Sequence, residues 1–281
     1  MSLEARLRRA VEREEFVVHY QPKLSLRTGS ISGMAAVIRW QRSDAVVVLP
    51  DEFIEVAEET GLIIPIGEWV LAEACRQNKL WQHEGLAFMP VSVHLSAKQF
   101  LDDGLVGRIS AALSAARLDA QWLALEISET AAMSDLDSSS QILSSLHTVG
   151  IRMSLDHFGI GYSCLSYLRR FRLHALKLDR SLIANTPWDE DALAVVAAIA
   201  ALAHSFRLET AAEGLENAQQ LELLRELGYS QVQGNYISQP LSAADIPSLM
   251  LQAPSFQLVS GDLFSQQAGE APRQAPRFND G

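Results

Sequence analysis

Cysteine is scarce in this chain: Cys75 and Cys164 are the only two among 281 residues. Two thiols exclude a disulfide framework and point to a reducing, cytoplasmic setting. Basic residues are outnumbered, 23 Lys and Arg against 34 Asp and Glu, for a net charge of −11. That balance disfavours sequence-independent binding to DNA or RNA, which draws its affinity from many Lys and Arg contacts, so no nucleic acid polymer is expected as a partner. An anionic ligand must therefore be held by local donors, not by the field of the whole molecule. Long apolar runs are missing too. The longest, residues 192–203, falls short of the roughly 18–20 uncharged residues of a membrane span, so no membrane span is expected and the run reads as a core helix. Arg6, Arg8, Glu12 and Glu15 interrupt any signal-peptide core in the first 30 residues.

What is there is 48% apolar content, enough for a large core. Residues 1–15 place Leu3, Leu7 and Val11 on one face, which predicts a short amphipathic helix. Strand-like runs follow at 16–26 and 31–40, joined by Thr28-Gly29-Ser30, a hairpin signal that makes the first pair antiparallel. After it, helix-like stretches near 51–60, 66–83, 97–117, 136–148, 163–170, 189–205, 217–227 and 243–252 alternate with apolar runs at 91–95, 122–127, 151–155, 174–178, 208–212 and 229–233. Alternation of this kind predicts a parallel sheet with crossover helices. Two strands plus six suit an α/β fold of the (β/α)8 barrel type over residues 16–253, with a doubly wound open sheet as the alternative. Residues 254–281 turn to Gln, Pro, Ala, Gly and Arg and are expected to form an extension, disordered from about 267.

In a parallel barrel, function gathers where the strands end. Polar residues close run after run: Arg39, His94, Glu126 with Glu129, Asp156 with His157, Lys177 with Asp179, Glu213 with Glu216, and Gln233-Gly234. Any one alone reads as a cap, a salt bridge or a solvated loop residue. Together they place acids, imidazoles, Lys and Arg on one rim, a mixture that suits a phosphate ester. Arg39 supplies a planar fork and Lys177 a compact cation, while the acids hold a divalent ion or accept from a purine edge. Gly159-Ile160-Gly161 lacks the third glycine of a dinucleotide fingerprint, and Ser163 is followed by Cys164-Leu165, which rules out a nucleophile elbow. Trp69 and Trp81 read as packing residues, and Phe53 and Ile54 as either core or the border of a base pocket.

With these residues assembled, the chain resembles the EAL-domain family of cyclic di-GMP phosphodiesterases over roughly residues 3–252. The resemblance rests on Tyr20-Gln21-Pro22, Ile38-Arg39-Trp40, Ala57-Glu58-Glu59-Thr60-Gly61-Leu62 and Val93-His94-Leu95-Ser96. It continues in Leu125-Glu126-Ile127-Ser128-Glu129, Asp156-His157-Phe158-Gly159-Ile160-Gly161-Tyr162-Ser163, Lys177-Leu178-Asp179-Arg180, Ala212-Glu213-Gly214-Leu215-Glu216 and Gln233-Gly234. It implies a barrel with one antiparallel strand. It also implies ligand-binding roles for Gln21, Ile38, Arg39, Asp179, Glu213, Glu216, Gln233 and Gly234, with Glu216 bracing the loop Asp156–Ser163.

The departures from the family matter more than the matches. Ala35 stands where the family has a metal-binding Glu, His94 where it has an Asn ligand, and His157 where it has the second of two aspartates. Glu126, Asp156, Lys177 and Glu213 remain from the catalytic centre. Two hard ions about 4 Å apart activate water by lowering its pKa from about 15.7 toward about 7. Three lost oxygen donors should abolish such a Mg²⁺ or Mn²⁺ site, so no metal and no cofactor are expected. His94, Glu126, Asp156 and His157 instead form a nitrogen and oxygen set of the kind zinc takes, the alternative to mutual pairing. The expectation is an inactive phosphodiesterase of bacterial second-messenger signalling that binds cyclic di-GMP and relays it to a protein partner. The resemblance to FimX-type receptors implies a PilZ-domain partner and control of type IV pili and twitching motility. A phosphodiesterase of altered metal preference and a nucleotide-independent scaffold are the competing expectations.

Overall fold

A computed structural model of the chain describes residues 2–42, 46–86, 88–160 and 165–252. Among the described residues, ten strands form: β1 (Phe16–Ser25), β2 (Ile31–Gln41), β3 (Val47–Val48), β4 (Val91–Leu95), β5 (Leu123–Ser128), β6 (Arg152–Phe158), β7 (Ala175–Leu178), β8 (Glu209–Ala212), β9 (Gln231–Val232) and β10 (Leu241–Ser242). Eight of them close a barrel in the order β1-β2-β4-β5-β6-β7-β8-β9, with β9 returning to β1. β1 runs antiparallel to both neighbours; the remaining barrel pairs are parallel. The expected α/β barrel with one reversed strand is the fold observed. The hairpin turn closes where Ser25 N–H donates to Ser30 O at 2.9 Å and Gly29 N–H to Ser25 O at 2.9 Å.

Two-residue periodicity decides what the barrel encloses. Val91, Val93, Leu95, Leu123, Leu125, Ile127, Leu155, Leu176 and Leu178 are buried in the apolar core between strands and helices. The alternate positions, Ser92, Ala124, Glu126, Ser154, Ala175 and Lys177, line the barrel interior. The helix Ile63–His83 shows how the outer layer is held. Ile63, Ile66, Val70, Ala74, Asn78 and Trp81 repeat every three or four residues and are buried. Trp81 meets Tyr20 of β1 edge-on, ring centroids 4.7 Å apart, a geometry worth about 0.5–1.5 kcal/mol beyond area burial.

A second, smaller core sits at the end of β2. Leu7 and Ala10 of the helix Leu3–Glu12 pack with Phe16, Trp40, Phe53 and Ile66. Phe53 lies 6.1 Å from Trp40 and 5.9 Å from Phe16, ring to ring, so it is a core residue. This cluster anchors the strand end that carries Arg39. The helix expected over 97–117 is two helices, Ala97–Phe100 and Leu105–Ala116. Between them Asp102 accepts from Gly104 N–H at 2.8 Å and pairs with Arg108, a local turn that outcompetes continued helix. A short helix, Glu129–Ser134, follows β5 directly and was not anticipated; its signal was Ser128, whose hydroxyl caps it by accepting from Ala131 N–H at 3.2 Å. The expectations for 254–281 and for Tyr162, Ser163 and Cys164 lie outside the described residues. Among the described residues, no helix is long and apolar enough to cross a membrane.

Candidate functional site

The interior alternation brings the polar strand ends together. Lys177 on β7 is the hub. Its Nζ lies 2.6 Å from Glu126 Oε2, 2.7 Å from Glu213 Oε2 and 3.2 Å from Asp156 Oδ2, and the residue is 3% exposed. The other oxygen of Glu126 holds Nζ of Lys23, which reaches up from β1. Lys23 was missed by sequence reading. Its signal was a lysine two positions from Gln21 on a strand whose neighbours are buried, hence on the same inward face.

Burial alone would push a lysine toward neutrality. Here Glu126, Asp156 and Glu213 outweigh it and hold the Lys177 ammonium well above the usual lysine range. Burial likewise works against charge on Glu126, yet Lys177 and Lys23 hold its carboxyl well below the usual range. Asp156 is lowered despite burial, mainly by Lys177 and by His94. The result is a buried, charge-compensated network of ammonium and carboxylate groups.

The two histidines sit above it. His94 on β4 is in register with Glu126, and its Nδ1 lies 3.2 Å from Asp156 Oδ2. The surrounding barrel wall disfavours its cation, but the hydrogen bond and charge of Asp156 prevail and raise its pKa. His157 occupies left-handed backbone, φ 55°, where the β6–β7 register breaks between Leu155 and Phe158. Histidine is among the few residues that tolerate this region, and such outliers gather at functional sites. Its own N–H donates to Asp156 Oδ1 at 2.8 Å, and its Nε2 lies 3.7 Å from Glu213 and 3.8 Å from Asp179. The two rings are 5.7 Å apart. Asp179 also caps the helix Arg180–Ala184, accepting from Ser181 N–H at 2.7 Å.

Arg39 stands apart from this network. It is half-buried, its Nη1 donates only to the Ile38 carbonyl at 3.0 Å, and among the described residues no carboxylate pairs with it. Burial lowers its pKa, with Asp51 partly opposing. Gln21 donates to Ser238 O at 3.0 Å, tying β1 to the loop after β9. Gln233 is buried and its Oε1 has no partner among the described residues, a cost of about 1–3 kcal/mol unless a ligand donor meets it. Gly234 is required by close approach: a Cβ there would lie 2.2 Å from Leu215 N. The backbone contact this permits sets the loop that carries Glu213.

One implied role moves. Glu216 is exposed on that loop, whereas among the described residues the side chain that braces the segment after β6 is Glu129, 3% exposed, whose Oε2 accepts from Gly159 N–H at 3.3 Å. Gly159 itself has φ 97°, and a Cβ there would meet Ile199 at 2.7 Å.

A family model for the EAL domain matches residues 4–240. The bifunctional diguanylate cyclase/cyclic di-GMP phosphodiesterase MucR of Pseudomonas aeruginosa is 42% identical over 240 residues, covering 85% of this chain and 35% of MucR. The chain spans about a third of the length of the curated relatives it matches. Among solved structures, the MucR phosphodiesterase in complex with c-di-GMP superposes with a TM-score of 0.85 at 42% identity, covering 88% of this chain and 100% of that one. The FimX EAL domain from Pseudomonas aeruginosa, bound to c-di-GMP, gives 0.78 at 26% identity, covering 86% and 97%. Taken with the closed barrel and the polar strand ends, these matches show that the chain belongs to the EAL domain family.

Proposed function

We propose that this domain binds cyclic di-GMP and leaves it intact, acting as a receptor. The observation that carries this reading is the contrast between an unpaired Arg39 and a fully paired centre. Among the described residues this half-buried guanidinium has no carboxylate partner and the buried Gln233 Oε1 no donor, which leaves both groups open to a ligand. MucR and FimX, both similar to this chain, have been solved with the dinucleotide bound.

The residues present do not fit a pair of Mg²⁺ or Mn²⁺ ions. Ala35, in register with Gln21 and Ser92, offers a methyl group where a carboxylate oxygen is needed. Both oxygens of Glu126 are held by ammonium groups, and Asp156 Oδ2 is shared by Lys177 and His94. Hard ions take imidazole nitrogen poorly. Without such ions, water lacks the activation that phosphodiester hydrolysis needs. Binding is independent of them: charge-assisted hydrogen bonds of about 1.5–3 kcal/mol each support micromolar affinity when several combine. The test is calorimetric titration with cyclic di-GMP in EDTA, followed by chromatography of the recovered nucleotide. Saturable heat with intact dinucleotide supports the receptor; a flat trace opposes it.

A second reading has one observation in its favour. Ligand atoms of His94, Glu126 and Asp156, and separately those of Asp156, His157 and Glu213, lie within 4.8 Å of one another. Such nitrogen and oxygen sets suit zinc, and a zinc-dependent phosphodiesterase would release linear pGpG, lost in Glu126→Ala or Lys177→Ala. Absence of linear product under every metal tried removes it. We infer in addition that the bound state recruits a protein of the PilZ class, as the FimX-type resemblance implies. Co-elution with a PilZ-domain protein only in the presence of dinucleotide tests this.

A further inference from the structure

We propose that the opposite mouth of the barrel is a second anion-binding site, one that takes a small phosphate ester or inorganic phosphate. A cavity of about 630 Å³ opens there, among the amino ends of the parallel strands and the far end of β1. The cause lies in the sequence. Barrel interiors are ordinarily filled by bulky branched residues. Here Gly33, Ser92, Ala124, Ala175 and Ala211 occupy the wall, and their small side chains leave the volume open. The size lies within the roughly 300–1,000 Å³ of small-ligand pockets.

The charge of the wall identifies the ligand. Lys23, Arg27, Arg152, Lys177 and Arg225 face two carboxylates, Glu126 and Glu209, in a chain whose acids outnumber its bases. Arg152 pairs with Glu209 at 2.9 Å and Arg225 with Glu222 at 3.5 Å, but among the described residues Arg27 makes no ion pair. Lys23 and Lys177 already share Glu126 at the inner end, so among the described residues the cation left without an ion pair is Arg27, at the mouth, beside Arg152 and Arg225 in their exposed pairs. Arg27 offers a free guanidinium fork, and Arg152 and Arg225, whose partners are solvent-exposed carboxylates, can turn toward a phosphate's tetrahedral oxygens at little cost, since exposed pairs contribute about 0–1 kcal/mol. Ser25, Ser32, Ser154 and Ser230 add hydroxyl groups to the same wall. Lys23, Glu126 and Lys177 form the inner floor of this cavity, whereas Arg39, Gln21 and Gln233 do not line it, so the ligand contacts at the mouth differ from those proposed for cyclic di-GMP.

Calorimetric titration of the full chain with inorganic phosphate tests the proposal, in a non-phosphate buffer at constant ionic strength. Arg27 and Arg225 are exposed, so Arg27→Ala and Arg225→Ala should fold normally, as circular dichroism can verify. Saturable one-site binding that weakens about tenfold in each variant, and is unchanged in Arg39→Ala, is the expected result. Heat that never saturates overturns it. So does binding lost in Arg39→Ala but kept in Arg27→Ala and Arg225→Ala, which would assign the phosphate to the other mouth.

Discussion

Replacing Glu126 by glutamine should cost more stability than any other isosteric change in the barrel interior. Glu126 is 4% exposed and accepts from two ammonium groups, Lys23 on one oxygen and Lys177 on the other. Glutamine keeps the shape but turns one acceptor into an N–H2 donor that must face an ammonium. Lys177 retains Asp156 and Glu213, whereas Lys23 has no other acid within salt-bridge distance among the described residues. Removing one partner of a buried pair leaves an uncompensated charge, at about 3–5 kcal/mol. For a domain of this size, that corresponds to a fall in Tm of about 6–20 °C. Urea unfolding followed by circular dichroism measures the change. The mechanism carries its own control. Lys23→Met in the Glu126→Gln background removes the stranded ammonium and should recover part of the loss. A single-variant cost below about 1 kcal/mol, or strictly additive costs in the double variant, would refute the reasoning. The same network sets an acid limit. Because the folded Glu126 carboxyl lies well below its ordinary 4.5, its contribution is complete above that value and disappears as pH falls toward the folded pKa. Wild type should therefore lose stability more steeply than Glu126→Gln below pH 4.5.

Three further outcomes are expected. Arg39→Ala should weaken cyclic di-GMP binding at least about tenfold in a calorimetric titration, the loss of a charge-assisted contact, while Tm changes little because among the described residues no carboxylate lies within salt-bridge distance of the guanidinium. His94 should titrate above its ordinary 6.5 by nuclear magnetic resonance. Its raised pKa adds stability that is complete below 6.5 and lost as pH rises through the folded value, so the gap between wild type and His94→Ala should close on the alkaline side. Gly234→Ala places a methyl 2.2 Å from Leu215 N and should destabilise by about 1–3 kcal/mol or displace the Glu213 loop.

The barrel was legible because its strands obey two independent rhythms. Apolar residues such as Val91, Val93 and Leu95 pack outward, and their polar alternates face in, so strand length and strand ends could both be read. The turn at Asp102–Gly104 was not legible, since Leu101 and Leu105 keep an apolar rhythm across it while a side-chain hydrogen bond breaks the backbone ladder. At the site, residues at strand ends were found because they interrupt apolar runs. Lys23 lies in mid-strand, and its role depends on the barrel closing so that β1 faces β5 across the lumen, which no local pattern encodes. Glu129 was noticed as a strand-end acid, but its bond to Gly159 joins residues 30 apart. The helix that begins at Glu129 turns this carboxylate toward the segment after β6, whereas the chain after β8 leaves Glu216 in solvent.

The most direct test of the receptor is to titrate the chain with cyclic di-GMP, first in EDTA and then with Mg²⁺, Mn²⁺ or Zn²⁺, and to chromatograph the nucleotide afterwards. Equal, saturable binding in every condition with only intact dinucleotide recovered is the expected result. Linear pGpG in any metal, or binding that vanishes in EDTA, would contradict it.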